Sequence, residues 1–271
     1  MWIIYLVAAL VLLYIGLVSA VSLAQTQLLF PAHLASSSRP QLPAAAERLE
    51  LTTPSGERLV GVRLLPASTQ ASGERLILGF GGNAWNADVM ALYLHGVFPD
   101  EEIVTFHYRG YAPSSGSPSA QALLSDALVV FDHLQHGRER QVIAVGFSIG
   151  SGVAAYLGSQ RPVAGLILVT PFDSLEALAR EHYPWAPVGL LLRHRIPTTD
   201  FVRDVRTPTA LIAAERDTIV PAQRTEALRQ SIPNVIFDRV IAGAGHNDLY
   251  DDPAFVSAMR TALAHIEGQR R

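Results

Sequence analysis

The 271-residue chain contains neither cysteine nor lysine. Without cysteine there is no disulfide framework, no thiol nucleophile and no Cys-ligated zinc site. Without lysine there is no Schiff-base or Ser-Lys chemistry. Charge is also sparse: 17% of residues are Asp, Glu or Arg, and the net charge is -3. That balance gives no general affinity for nucleic acid. Charge is missing altogether from the amino end, where Arg39 is the first charged residue.

What is there begins with an apolar run from Trp2 to Ala24. At about 1.5 Å per residue this helix crosses a hydrocarbon core of roughly 30 Å. Trp2 and Tyr5 suit one interface, and Gln25 and Gln27 the other. Val18-Ser19-Ala20 and Ser22-Leu23-Ala24 also resemble signal-peptide cleavage sites. The run exceeds a signal h-region of about 7–15 residues, however, and no basic n-region precedes it. Residues 1–24 therefore read as a retained transmembrane anchor, with a signal sequence as the alternative. Together with the lack of cysteine they favour an extracytoplasmic, periplasmic catalytic domain. Residues 25–47, rich in Ser, Pro and Ala from Ala32 to Ala46, read as a linker.

Residues 48–271 read as one α/β domain. Leu49–Thr53 and Arg58–Leu65 form a hairpin around Pro54-Ser55-Gly56, and a polar connection from Ala67 to Glu74 follows. Leu76–Phe80, Ile103–Phe106, Val142–Phe147, Leu166–Val169, Thr209–Ala214 and Val235–Phe237 are the later strands. Helices are expected at Ala87–Leu94, after Ser117-Pro118, after Gly150, at Ala222–Gln230 and at Phe255–Ile266. In the second of these, Leu124, Leu128, Phe131 and Leu134 recur on one face. Apolar strands alternating with helices imply a mostly parallel sheet with helices on both faces.

The strand Val142–Phe147 runs into Gly146-Phe147-Ser148-Ile149-Gly150 and then a helix. A serine on a strained strand-to-helix turn holds its hydroxyl clear of the sheet, at the positive end of the helix. Gly146 and Gly150 fit because the turn brings neighbouring backbone very close. His246, in a Gly-rich loop between the last strand and the last helix, is the candidate base. Asp217, after the strand Thr209–Ala214, is the candidate acid that orients it. Glu215 and Asp248 are the other carboxylates in reach. The order Ser148, Asp217, His246 is that of an α/β-hydrolase, each member at the carboxyl end of a strand. An oxyanion needs preorganised donors. The backbone N–H of Ile149 is one, and that of Asn83, after the third strand, is the second. No metal or cofactor is called for.

The motifs resemble the membrane-anchored α/β-hydrolase domain-containing proteins of the 13 and 17 type. Gln27-Leu28-Leu29-Phe30-Pro31, Phe80-Gly81-Gly82-Asn83-Ala84-Trp85-Asn86, His107-Tyr108-Arg109-Gly110-Tyr111, Thr170-Pro171-Phe172 and Gly245-His246-Asn247-Asp248 carry the resemblance. It departs at Gly81, where the family has histidine, at bulky Trp85, where it has glycine, and at His107, where it has aspartate. His107 is expected to be structural. The resemblance implies an α/β-hydrolase fold and esterase or lipase activity on acyl esters or thioesters. Trp85, Tyr111, Phe172 and Trp185 are its substrate-pocket candidates. Residues 173–201, with Leu175, Leu178, Tyr183, Trp185, Val188 and Leu190, read as a short helical cap. A peptidase or an acyltransferase on the same three residues, or a non-catalytic binding protein, are the competing functions.

Overall fold

A computed structural model describes residues 1–36, 40–67, 75–137 and 139–269. Residues 68–74 of the polar connection, and 37–39 of the expected linker, lie outside the described residues. Strands β1 (Glu47–Thr52), β2 (Arg58–Leu64), β3 (Arg75–Phe80), β4 (Glu102–Phe106), β5 (Gln141–Phe147), β6 (Gly165–Val169), β7 (Thr209–Ala214) and β8 (Val235–Ile241) form one sheet. Its order is β1-β2-β4-β3-β5-β6-β7-β8. β1 and β2 are antiparallel to their neighbours, and every pairing from β4 to β8 is parallel. The central strands are apolar on both faces because both faces are covered. Val142 and Ala144 of β5 face one core while Ile143, Val145 and Phe147 face the other. The outer half of β8 carries exposed Asp238 and Arg239, so its apolar run ends four residues before the strand does.

Helices α4 (Ala120–Gln135), α5 (Ile149–Gln160) and α9 (Ala222–Arg229) pack on one face. Helices α3 (Ala87–Val97) and α10 (Pro253–Gly268) pack on the other. Caps set several starts: Asn86 Oδ1 accepts from the N–H groups of Asp88 and Val89, and Asp252 caps α10. α4 starts later than Ser117-Pro118 implies. Ser119 is its cap, because Pro118 is pressed against Gly110 and closes the preceding loop. Its buried face is Leu123, Ala127, Val130, Phe131 and Leu134. Leu124 and Leu128, expected there, only flank it.

The amino end differs most from expectation. Helix α1 runs unbroken over Trp2–Leu29, five residues beyond the expected anchor. Phe30 and Ala35 are buried in the domain core, and α2 (Ala32–Ala35) follows the helix directly. Asn86 Nδ2 donates to the Ala35 carbonyl at 2.9 Å. The first part of the expected linker is thus packed structure, since Phe30 and Leu29 supply apolar surface that composition alone does not place.

His107 is structural, as expected. It is 3% exposed, and its Nε2 lies 3.2 Å from Asp88 Oδ1, which Arg48 also pairs bidentately at 2.6 and 2.7 Å. Burial opposes ionisation of Asp88, but the bonds from His107 and Arg48 outweigh it and hold the carboxyl at about 2, below its ordinary 3.8. A depressed folded value means the stabilisation is complete above the unfolded value and is lost as pH falls from 3.8 towards 2. In urea titrations between pH 6 and pH 3, Asp88→Asn is expected to be less stable at pH 6 by roughly 2 kcal/mol. The gap should narrow at pH 3. A gap that stays constant with pH would remove the ion pair from the account.

Candidate active site

The site is built at the carboxyl ends of β5, β7 and β8. β5 turns into α5 at Ser148, a non-glycine residue at φ 51° and ψ -117°. Such a conformation stores roughly 1–3 kcal/mol of strain. The turn persists because both flanking glycines are obligatory. A Cβ on Gly146 would overlap the Gly150 carbonyl, and one on Gly150 would overlap the Phe80 carbonyl. Gly82 lies on the other side of the serine, where an added Cβ would sit 3.9 Å from Ser148 Cβ.

Backbone bonds tie this rim together sideways. Ser148 N–H donates to Val169 O at 2.9 Å, and Thr170 N–H to Ile212 O at 2.7 Å. Glu215 N–H then donates to Ile241 O at 3.1 Å, and Arg216 N–H to Ala244 O at 2.8 Å. The loops after β5, β6, β7 and β8 therefore form one bonded edge.

On that edge, His246 Nδ1 donates to Asp217 Oδ2 at 2.7 Å, with the two side chains 9% and 3% exposed. The other oxygen, Oδ1, accepts from Ile219 N–H at 2.9 Å and Val220 N–H at 2.7 Å. Three donors fix the carboxylate, and the carboxylate fixes the imidazole tautomer with its proton on Nδ1. His246 Nε2 and Ser148 Oγ have no hydrogen-bond partner among the described residues, so both remain available. The other two carboxylates serve the loop instead. Glu215 Oε2 accepts from Gly243 N–H and Asp248 Oδ1 from Gly245 N–H, shaping the turn that presents His246.

The loop after β3 is held by its carbonyls. Gly82 O accepts from Trp85 N–H at 3.2 Å. In a trans peptide the Asn83 N–H points away from that bond. Tyr108 and Tyr111, in the loop after β4, donate their hydroxyls to Gly81 O at 2.8 Å and Asn83 O at 2.6 Å. Burial raises the pKa of both phenols, so they stay protonated donors.

No protein-family model matches the chain. An uncharacterised protein of Mycobacterium tuberculosis is 34% identical over 230 residues, 82% of this chain and 80% of that one. The α/β-hydrolase domain-containing protein aho-3 of Caenorhabditis elegans is 25% identical over 67% of this chain and 55% of its own length. The lysophosphatidylserine lipase ABHD12 of Danio rerio is 30% identical over 45% of this chain and 37% of its own. Among solved structures, the Pyrococcus furiosus esterase Pf2001 superposes with a TM-score of 0.66 at 16% identity, over 85% of this chain and 96% of that one. Mouse α/β-hydrolase domain-containing protein 10 gives 0.62 at 18%, over 83% and 100%. The chain has the α/β-hydrolase fold and shares a family with the Mycobacterium tuberculosis protein.

The four pocket candidates have separate fates. Tyr111 and Phe172 are each 1% exposed and lie in the core rather than on an open wall. Tyr111 is instead the brace of the β3 loop. That role was missed because it joins residues 28 apart through a backbone carbonyl, which no local pattern announces. Trp85 is half-buried between Phe147 and Tyr250, with ring centroids 4.9 Å from each. It fills the space beside the serine strand, on the side where Gly81 leaves room: a Cβ there would come within 3.2 Å of Trp85 Cβ. Trp185 is 41% exposed and sits on the cap. Tyr111→Phe removes one bond worth about 1 kcal/mol. If the Asn83 N–H receives an oxyanion as the sequence leads one to expect, kcat should fall roughly tenfold with KM little changed, since the donor is displaced and not the binding surface. An unchanged kcat in steady-state ester hydrolysis would show that the brace does not orient the loop.

Proposed function

We propose that the protein is a serine hydrolase cleaving carboxylic ester or thioester bonds of acyl, lipid-like substrates. Ser148 Oγ attacks the acyl carbonyl as His246 Nε2 takes its proton. The N–H groups of Ile149 and Asn83 receive the oxyanion. His246 then returns the proton to the leaving alcohol or thiol, leaving an acyl-serine that water hydrolyses by the same steps. Asp217 holds the tautomer and balances the imidazolium. No step calls for a metal or a cofactor. The observation that carries this reading is the 2.7 Å bond from His246 Nδ1 to Asp217, on the edge that also bears the strained Ser148.

The acyl preference is supported by relatives named as esterases and lipases and by the apolar amino-terminal helix, which we read as a retained anchor. That helix continues past both candidate cleavage points. A chain-length series of nitrophenyl esters, run beside monoacylglycerols, acyl-CoA and aminoacyl amides, tests the substrate class. Hydrolysis of the esters or thioesters is expected. Cleavage of amides alone would make the protein a peptidase.

A further inference from the structure

The cap comprises α6 (Leu175–His182), α7 (Val188–Leu191) and α8 (Thr198–Val202). It does not float over the rim. It is tied to α1 by polar bonds at successive heights. Tyr14 OH donates to Trp185 O at 2.9 Å, and Gln25 Nε2 donates to Leu191 O at 3.1 Å. Arg193 N–H donates to Gln25 Oε1 at 2.8 Å, and the Arg193 guanidinium to Ser22 O at 3.0 Å. His194 Nε2 and Thr26 Oγ1 are 2.8 Å apart.

These heights can be set against a bilayer. From Trp2 to Ser22 the helix rises about 30 Å, the thickness of the hydrocarbon core. Arg193 marks the upper level, where a guanidinium meets headgroups, and Trp2 the lower. The Tyr14–Trp185 bond lies about 12 Å beneath Arg193 along the axis. Only about 18 Å of helix, Trp2 to Leu13, is free of the domain. An anchor that spans must therefore carry the tip of the cap into the hydrocarbon.

The tip suits that position. Residues 183–192, Tyr-Pro-Trp-Ala-Pro-Val-Gly-Leu-Leu-Leu, contain no charge, while Arg180, Glu181, Arg193 and Arg195 flank them. Leu190 is 87% exposed, and Tyr183 and Trp185 are also open. Backbone exposed to lipid must satisfy itself. Here Pro184 and Pro187 bring no N–H, those of Tyr183, Ala186, Val188, Leu190, Leu191 and Leu192 bond to nearby carbonyls, and Gly189 O accepts from the Arg195 guanidinium at 2.8 Å. Between the tip and α1 runs an apolar groove, walled by Val18, Val21 and Leu28 on one side and Tyr183, Val188 and Leu191 on the other. It is continuous with the exposed apolar flank of α1.

We propose that the cap tip is sunk into the leaflet and that this groove holds one acyl chain of a bilayer phospholipid. The inference rests on the anchor reading above. It goes beyond that reading by giving the enzyme a lipid-filled seam beside the cap, separate from the catalytic serine.

The test uses the full chain in phosphatidylcholine vesicles doped with a phosphatidylcholine bearing a mid-chain diazirine. After irradiation, adducts are mapped by peptide mass spectrometry. Adducts are expected on residues 2–13 and on Tyr183 and Trp185, beneath the Arg193 level, and on Leu191 through the chain held in the groove. Ala186→Trp, and separately Ala179→Phe, narrow the groove. Each should abolish the adducts at Tyr183 and Leu191 while leaving those at Trp185 and residues 2–13. Adducts confined to residues 2–13 would overturn the immersed cap and leave the anchor standing. Cap adducts indifferent to both substitutions would overturn the groove. No adducts anywhere would remove the anchor itself.

Discussion

Ser148→Ala is expected to lower kcat for ester hydrolysis by a factor on the order of 10⁵–10⁶, leaving the fold intact. The size follows from the role. With no hydroxyl there is no acyl-enzyme, and only the donors of Asn83 and Ile149 remain to act on a bound ester. A second substitution separates chemistry from stability at the same position. Ser148 is held at φ 51°, a region that glycine enters without a Cβ penalty. Ser148→Gly should be as inactive as Ser148→Ala but more stable than it by about 1 kcal/mol, the relieved strain less the entropy glycine gains unfolded. Thermal unfolding of the two variants side by side reads the difference directly. Equal stabilities would mean that the turn is not strained, and a Ser148→Ala kcat close to that of the unaltered protein would assign the chemistry elsewhere.

Asp217→Asn is expected to cost a factor on the order of 10⁴ in kcat. The carboxylate accepts from three donors, Ile219 N–H, Val220 N–H and His246 Nδ1–H. An amide keeps one accepting oxygen. If that oxygen keeps the two backbone bonds, its NH₂ faces His246 Nδ1 and turns the ring to the Nε2–H tautomer, which cannot take the serine proton. The rate should then recover as the pH rises far enough to supply another base. Asp248→Asn and Glu215→Gln are the controls. Their carboxylates shape the His246 loop, so each should cost far less than Asp217→Asn. A loss in Asp248→Asn equal to that in Asp217→Asn would reverse the assignment.

The difference between these carboxylates shows how far a linear reading goes. The elbow could be read because its glycines answer to backbone overlap, a constraint written into the five residues themselves. The parallel sheet could be read because strands covered on both faces must be apolar throughout. Asp217 could be named from the order of the chain and its place after a strand, whereas what Glu215 and Asp248 do, accepting from the Gly243 and Gly245 N–H groups, needed the path of the loop. Tyr108 and Tyr111 stayed hidden for the same reason: a hydroxyl bonding a distant carbonyl leaves no periodic trace. The amino end was read by composition as anchor then linker. The continuation of α1 to Leu29 and the seating of Phe30 and Ala35 in the core arise from contacts with partners such as Asn86 and His194, far along the chain.

The central claim is that Ser148 is the nucleophile and His246 makes it so. Labelling of the detergent-solubilised full chain with a fluorophosphonate, followed by mapping of the adduct, tests it most directly. The account predicts one stoichiometric adduct, on Ser148, that forms far more slowly in His246→Ala. An adduct on any other serine, or labelling of Ser148 at an undiminished rate without the imidazole, would contradict it.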